Sequence, residues 1–179
     1  FTDLSSDVAS AMVDTLPPVR SAIIRPIAPE DESVAELLEA QWGSRLVVTR
    51  GRIVDAARLP GFIAEDDGRI VGLITLDFSP EACEVVTLDA FVRRQGIGAR
   101  LLAAAEAEAA CRGARRIWLI TSNDNVGALA FYQACGYRIV AVHADAITEA
   151  RKLKPQIPLI GLNGIPIRDE IELEKRLSA

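Results

Sequence analysis

The stretch ACEVVTLDAFVRRQGIGARLLAAAEAEAACRGARRIWLIT, Ala82–Thr121, decides how this chain is read. It opens on a β-branched run, Val85, Val86 and Thr87, as a strand does. It then turns through Arg93, Arg94, Gln95, Gly96, Ile97 and Gly98 into a segment whose Leu101, Leu102, Ala105 and Ala109 form a helical stripe. Gly113 stands where such a helix should stop, and RIWLIT, Arg116–Thr121, reads as a short, fully buried strand. Strand, helix and strand in that order predict a parallel crossover.

The turn at Arg93-x-x-Gly96-x-Gly98 is an odd opening for a helix, because glycine is a poor helix former and adjacent arginines repel. Glycines let a backbone approach a ligand closely. The free N–H groups of a first helical turn point outward, and the helix dipole adds partial positive charge. An anion such as a pyrophosphate would also meet charge-assisted bonds from Arg93 and Arg94. Arg100, Arg112, Arg115 and Arg116 follow, which suggests a local basic region. A plain tight turn with solvated arginines fits the same residues. A dinucleotide turn of the GxGxxG kind fits less well, because Leu101 stands where its third glycine belongs.

Outward from this stretch, SAIIRPI (Ser21–Ile27) reads as a first strand, and Pro29–Trp42 as a helix with Val34, Leu37, Leu38 and Trp42 on its apolar stripe. Gly43–Pro60 is open between loop and short helix. Gly61–Phe78 is a hairpin about Asp66-Asp67-Gly68-Arg69. Asn125–Gly136 reads as a helix with Asn123 to Asn125 as candidate caps, Tyr137–His143 as a strand and Asp145–Lys154 as a helix. Arg168–Leu177 alternates as an edge strand would. The fold class is therefore α/β (α+β). The expected sheet is mixed and mostly antiparallel, with about 6–7 strands and helices on both faces. Residues 1–20 read as an N-terminal extension with a short helix ended by Pro17–Pro18, and 21–179 as a single domain.

Composition narrows the function. Half of the 179 residues are hydrophobic and a quarter are charged, as in a globular protein, and a net charge of −5 gives no reason to expect nucleic acid. The three cysteines lie far apart without a C-x-x-C pair, which argues against a disulfide framework or a zinc site and for a reducing cytoplasm. No run approaches the roughly 18 apolar residues of a membrane span, and the first residues lack the pattern of a signal peptide. His143, the single histidine, reads as structural or exposed, Arg151, Lys152 and Lys154 as a solvated helix face, and Cys135 as buried.

The second half of the chain contains Asn125-x-x-Ala128-x-x-Phe131-Tyr132-x-x-x-Gly136-Tyr137. Together with Arg93-x-x-Gly96-x-Gly98, in this order and setting, it resembles the GNAT-type N-acetyltransferase superfamily over roughly Ser21 to Leu177. The tail Leu153–Leu177 resembles a functionally uncharacterised bacterial branch of it.

The resemblance implies acetyl-CoA as the acetyl donor, no metal, and direct attack by a primary amine of a small molecule or peptide. Arg93 and the backbone of Arg94, Gln95, Gly96, Ile97, Gly98 and Ala99 would bind the pyrophosphate. Leu88, Asp89 and Ala90, at a β-bulge, would offer main-chain groups to pantetheine, with Asn125 and Ala128 on the same arm. Tyr132 would protonate the coenzyme A thiolate, although a core tyrosine fits its surroundings too. Glu84 is the candidate base, against a solvated strand carboxylate or a water chain to bulk solvent. An acyl-CoA-binding sensor or assembly module with little catalysis is the alternative to an enzyme. The edge strand and N-terminal arm offer surfaces for a homodimer.

Overall fold

Asp67 and Gly68 take φ of 49° and 76°, the left-handed pair that a two-residue hairpin turn requires. They join β4 (Gly61–Asp66) to β5 (Arg69–Phe78) in antiparallel register, as the Asp-Gly signal predicts. The computed structural model describes residues 21–28, 31–92 and 94–177. The expected N-terminal arm, residues 1–20, and Arg93 lie outside them. Before the hairpin come β1 (Ile23–Pro26), α1 (Ser33–Trp42), β2 (Leu46–Thr49), β3 (Arg52–Asp55) and a single 3-10 turn at Ala56–Arg58. After it come β6 (Ala82–Ala90), α2 (Ile97–Cys111), β7 (Arg116–Ser122), α3 (Val126–Ala134), β8 (Arg138–His143), α4 (Ala146–Leu153) and β9 (Glu170–Arg176).

Seven strands form one mixed sheet in the order β1-β4-β5-β6-β7-β9-β8, flanked by helices. β6 and β7 are its parallel pair, from Ala82↔Arg116 to Val85↔Leu119, as the crossover reading requires. The paired register ends at Val85, and β6 runs on to Ala90. Antiparallel pairs include β1 with β4, β4 with β5, β7 with β9 and β8 with β9.

Three readings are corrected. Arg168–Leu177 does not form an edge strand: β9 lies between β7 and β8, bonded to both, and so offers no free edge to a second copy. Its alternating charges suggested exposure, but Glu172 and Glu174 are matched by arginines, as described below. β8 takes the edge instead, with a register shift between Ile139 and Ala141. RIWLIT is not buried throughout, since β7 alternates buried and half-buried positions from Arg116 to Ser122. Trp42 leaves the apolar stripe of α1; Val34 and Leu38 are buried, whereas Trp42 is 43% exposed. The open segment Gly43–Pro60 proves to hold the β2–β3 hairpin, whose turn at Arg50 and Gly51 has φ of 46° and 72°. Arginine at the first left-handed position is not a signal that marks such a turn in a sequence.

The described chain divides into two compact units. The first comprises the described residues up to Arg45 with Asp55–Asp77 and Thr87–Glu108. Its core is Val34 and Leu38 of α1, Ile63 of β4, Val71, Leu73, Ile74 and Leu76 of β5, and Ile97, Leu101 and Leu102 of α2. A near-continuous apolar run such as that of β5 belongs to a strand covered on both faces. The second comprises Leu46–Val54, Phe78–Val86 and the described residues from Ala109 on. Cys83, Val85, Ile117, Leu119 and Leu173 are buried in it, beside Ile147 and Ala150 of α4.

Gly72 of β5 fixes how closely α2 approaches the strand. A Cβ there would stand 2.7 Å from Ile97 Cγ2, 2.9 Å from Leu101 Cδ1 and 2.9 Å from the Asp89 carbonyl oxygen. Gly127 in α3 has no such neighbour closer than 3.9 Å. Gly72→Ala should therefore lose about 1–3 kcal/mol through overpacking. Gly127→Ala should gain up to about 1 kcal/mol through helix propensity. Thermal melts of the two variants check the opposite signs.

Candidate functional site

The glycine turn is exposed backbone on a buried foot. Phe91 and Val92 are buried, and the Phe91 N–H donates to the Val71 carbonyl at 2.9 Å, holding the end of β6 against β5. Arg94, Gln95 and Gly96 are exposed, and Arg94 and Gly96 take left-handed φ of 58° and 72°. Ile97, only 1% exposed, returns the chain to the core. The Arg100 N–H donates to the Gly96 carbonyl at 3.0 Å, so the helix begins there and the N–H groups of Ile97, Gly98 and Ala99 have no acceptor four residues back within it.

The arginines do not gather at this turn. Arg100 donates to the Ala22 carbonyl at 2.7 Å. Arg112 stacks over Phe78 at 4.2 Å, Arg115 faces Glu81 at 3.7 Å, and Arg116 bonds Glu174 at 2.7 Å. The local basic region read from the sequence is thus dispersed, and among the described arginines Arg94 alone belongs to the turn. Sequence proximity misled because a strand and a helix carry successive arginines to different neighbours.

Leu88 and Asp89 are half-buried and Ala90 is exposed at the end of β6. The Trp42 Nε1–H donates to the Asp89 carboxylate at 3.0 Å. Burial nevertheless pushes the Asp89 carboxyl up to about 6, against that bond. Next to it, the Thr75 and Thr87 hydroxyls share a buried hydrogen bond of 2.8 Å.

In the second unit, Asn125 caps α3. Its Oδ1 accepts from the Ala128 N–H at 3.1 Å, three residues on, which is the physical reason for an asparagine at the start of this helix. Tyr132 is 9% exposed and packs edge-on to Phe131 at 5.2 Å and tilted to Tyr137 at 5.9 Å. Gly136, at φ of 89°, turns the chain so that the Tyr137 N–H meets the Tyr132 carbonyl at 3.0 Å. Asn123 is not a helix cap: its Oδ1 accepts from the Arg168 and Asp169 N–H groups, each at 3.0 Å, and steers the chain into β9.

Glu84, 3% exposed, accepts from the Thr49 hydroxyl at 2.5 Å and from Arg52 at 2.6 Å, one on each carboxylate oxygen. Glu170, Glu172 and Glu174 lie at alternate positions of β9. Glu172 gathers three partners: Arg50 at 2.9 Å, the His143 ring at 3.0 Å and Arg116 at 3.3 Å. Arg50 and Arg116 also lie over the Trp118 ring, at 5.8 and 5.6 Å. His143, read as structural or exposed, is half-buried against Glu172.

Arg151 is not solvated as the sequence suggested: it bonds the carbonyls of Ile157, Pro158 and Ile167 and ties down the loop after α4. Lys154 bonds the Leu46 carbonyl at 2.8 Å, and its ammonium is pushed down by burial. Cys135 is half-buried, and all three cysteines are free. The polar cluster of Thr49, Arg50, Arg52, Glu170 and Glu172 beside Glu84 was not anticipated from the sequence. The regular Glu-x-Glu-x-Glu of β9 was the one signal available for them. Among the described residues no group of three or more His, Cys, Asp or Glu side chains is placed to hold a metal. No described helix is long and apolar enough to cross a membrane.

Residues 25–137, which include the turn and the capped helix, match the Acetyltransferase (GNAT) family. The chain belongs to that family. The uncharacterized Bacillus subtilis (strain 168) protein YxbD is 45% identical over 145 residues, 80% of this GNAT chain and 91% of its own. An IAA acetyltransferase from Bacillus cereus ATCC 14579 superposes with a TM-score of 0.65 at 26% identity, over 88% of this chain and all of that one. A Bacillus subtilis acetyltransferase in complex with CoA superposes with a TM-score of 0.65 at 21% identity, over 88% of this chain and 100% of its own.

The Asp89 carboxyl gives this GNAT protein a signed pH dependence. Its folded-state pKa, about 6, lies above the ordinary 3.8, so the folded state favours the neutral acid. Its contribution to stability is complete below pH 3.8 and is lost as pH rises through about 6. Asp89→Asn should therefore be more stable than the parent at pH 7, with the difference closing toward pH 4. Melting temperatures across pH 4–8 measure it, and equal curves would count against a raised Asp89.

Proposed function

We propose that this protein transfers an acetyl group from acetyl-CoA to a primary amine of a small molecule or protein by direct attack, with no acyl-enzyme. The observation that carries the proposal is the exposed turn with left-handed backbone at Arg94 and Gly96, leading into the first turn of α2, whose N–H groups have no acceptor within the helix, in a chain of the GNAT family. Arg94 to Ala99 are assigned to the pyrophosphate, with Arg93 beside them. The main chain of Leu88, Asp89 and Ala90 is assigned to pantetheine, with Asn125 and Ala128 on the same arm.

Direct attack forms the amide C–N bond and breaks the thioester C–S bond. The amine nitrogen loses one proton and the departing thiolate gains one. Tyr132 supplies the second proton from its phenol, whose ordinary pKa near 10 suits an alkyl thiolate. Preorganised donors must meet the oxygen of the tetrahedral intermediate. Glu84 was the sequence candidate for removing the first proton. Both its oxygens hold other groups, so its assigned work is to place Thr49 and Arg52 rather than to act directly as base.

Release of free thiol from acetyl-CoA in the presence of an amine panel tests the reading. Tyr132→Phe should lower kcat about a hundredfold or more while leaving acetyl-CoA affinity nearly unchanged. Tight acetyl-CoA binding with no turnover of any amine, by the parent or the variant, would replace the enzyme with a binding module. A melting temperature raised by NAD and not by coenzyme A would sink both.

A further inference from the structure

Glu170 opens β9 with 6% of its surface exposed, and it lines a cavity of about 490 Å³. The cavity lies wholly within the second unit. Arg50 and Gly51 of the β2–β3 turn, His143 of β8 and the helix α4 supply the rest of its wall. The charged groups around it are nearly all matched. Arg50 meets Glu172 at 2.9 Å, and Lys152 meets Glu149 at 2.5 Å. His143 stands 3.0 Å from Glu172. Among the described residues no ion pair or side-chain hydrogen bond closes on the Glu170 carboxylate; Arg50 and His143 act on it only through their charge, and it opens to the cavity. A carboxylate so placed has room to take up a cation or a proton.

We propose that this cavity receives the amine of the acceptor, and that Glu170 is the carboxylate that binds it as an ammonium and then takes its proton. The step balances simply. The ammonium N–H bond breaks, the first proton goes to a Glu170 oxygen, and the nitrogen lone pair attacks the thioester carbon; the second proton, lost by the nitrogen as the C–S bond breaks, balances the one that Tyr132 gives to the thiolate and regains. Glu170 returns the proton to solvent after the product leaves. This rests on the acetyl transfer proposed above and names its acceptor class.

The wall beyond the carboxylate carries Ala146, Ala150 and Leu153 of α4, which suits an apolar stem. Arg50 and Lys152, the wall's long cationic side chains, already face carboxylates, Glu172 and Glu149, so a second, negative group would compete with them. The acceptor is thus a primary amine on an apolar stem, with no carboxylate or phosphate beside the nitrogen.

The protonation behaviour of Glu170 suits the role. Burial pushes its carboxyl above the ordinary range, and Glu84 of β6 pushes the same way, while His143 and Arg50 pull it down. Glu149 and Lys152 of α4 face the same cavity as a mutual pair. Such a shift brings a base toward neutral pH, where proton transfer is efficient. Activity should then rise with pH on the acid side as Glu170 ionises.

The test uses the full chain, acetyl-CoA and a panel of hexylamine, phenethylamine, 1,4-diaminobutane, alaninamide and alanine. Alaninamide should be acetylated at least about tenfold more efficiently than alanine, which carries the disfavoured carboxylate. Glu170→Gln should raise the KM of the best amine at least about tenfold and flatten the acid limb of kcat/KM, with the KM of acetyl-CoA unchanged. Glu170→Asp should restore part of the pH dependence. An amine KM and pH profile untouched by Glu170→Gln would overturn the inference and leave the acetyl transfer standing. So would equal use of alanine and alaninamide by the parent protein, a comparison that does not depend on the variants folding. No turnover of any amine by the parent, with acetyl-CoA bound, would remove the proposed function itself.

Discussion

The burial of carboxylates on an interior strand is the constraint that the second unit is built around. β9 carries glutamates at Glu170, Glu172 and Glu174 and is hydrogen-bonded on both sides. Unpaired, such charges would be too costly to keep. Arg116 therefore comes from β7, His143 from β8 and Arg50 from the β2–β3 turn, all to Glu172. The Arg50–Glu172 bond spans 122 residues of sequence. Glu84 performs the same service on β6 for Thr49 and Arg52, so the hairpin is fastened at neighbouring points of its turn. Glu170 alone stands outside this exchange.

The first unit is held differently. Its organising contact is apolar and steric: Ile97 and Leu101 lie so close over β5 that only glycine fits at position 72. That contact fixes where α2 begins, and with it where the N–H groups of its first turn are presented. A glycine turn on a mobile helix would be a weak anion site; here the residue after the turn is 1% exposed and pinned to the sheet. Position and chemistry thus come from separate residues, Gly72 with Ile97 for the first and Arg94 to Ala99 for the second.

Particular elements show how far a reading of the sequence reaches. Asp67-Gly68 announced its hairpin because those residue types accept left-handed backbone with little strain. Arg50-Gly51 makes the same kind of turn and gave no warning, because arginine has no such preference. Asn125 and Gly136 were legible as the two ends of α3 for equally local reasons. The arginines from Arg94 to Arg116 were not legible, since long side chains find partners that neighbours in sequence do not reveal.

By itself the sequence determined the order of the elements, the parallel crossover, the glycine turn and the capped helix, and through them the family. These depend on backbone preferences and spacings that act over a few residues. Only the tertiary structure decided that β9 is an interior strand, that Glu84 is committed to Thr49 and Arg52, and that Glu170 faces a cavity without a partner. Whether a carboxylate is paired depends on groups that arrive from distant parts of the chain, and on the loss of water that makes pairing matter. Neither is written in local pattern.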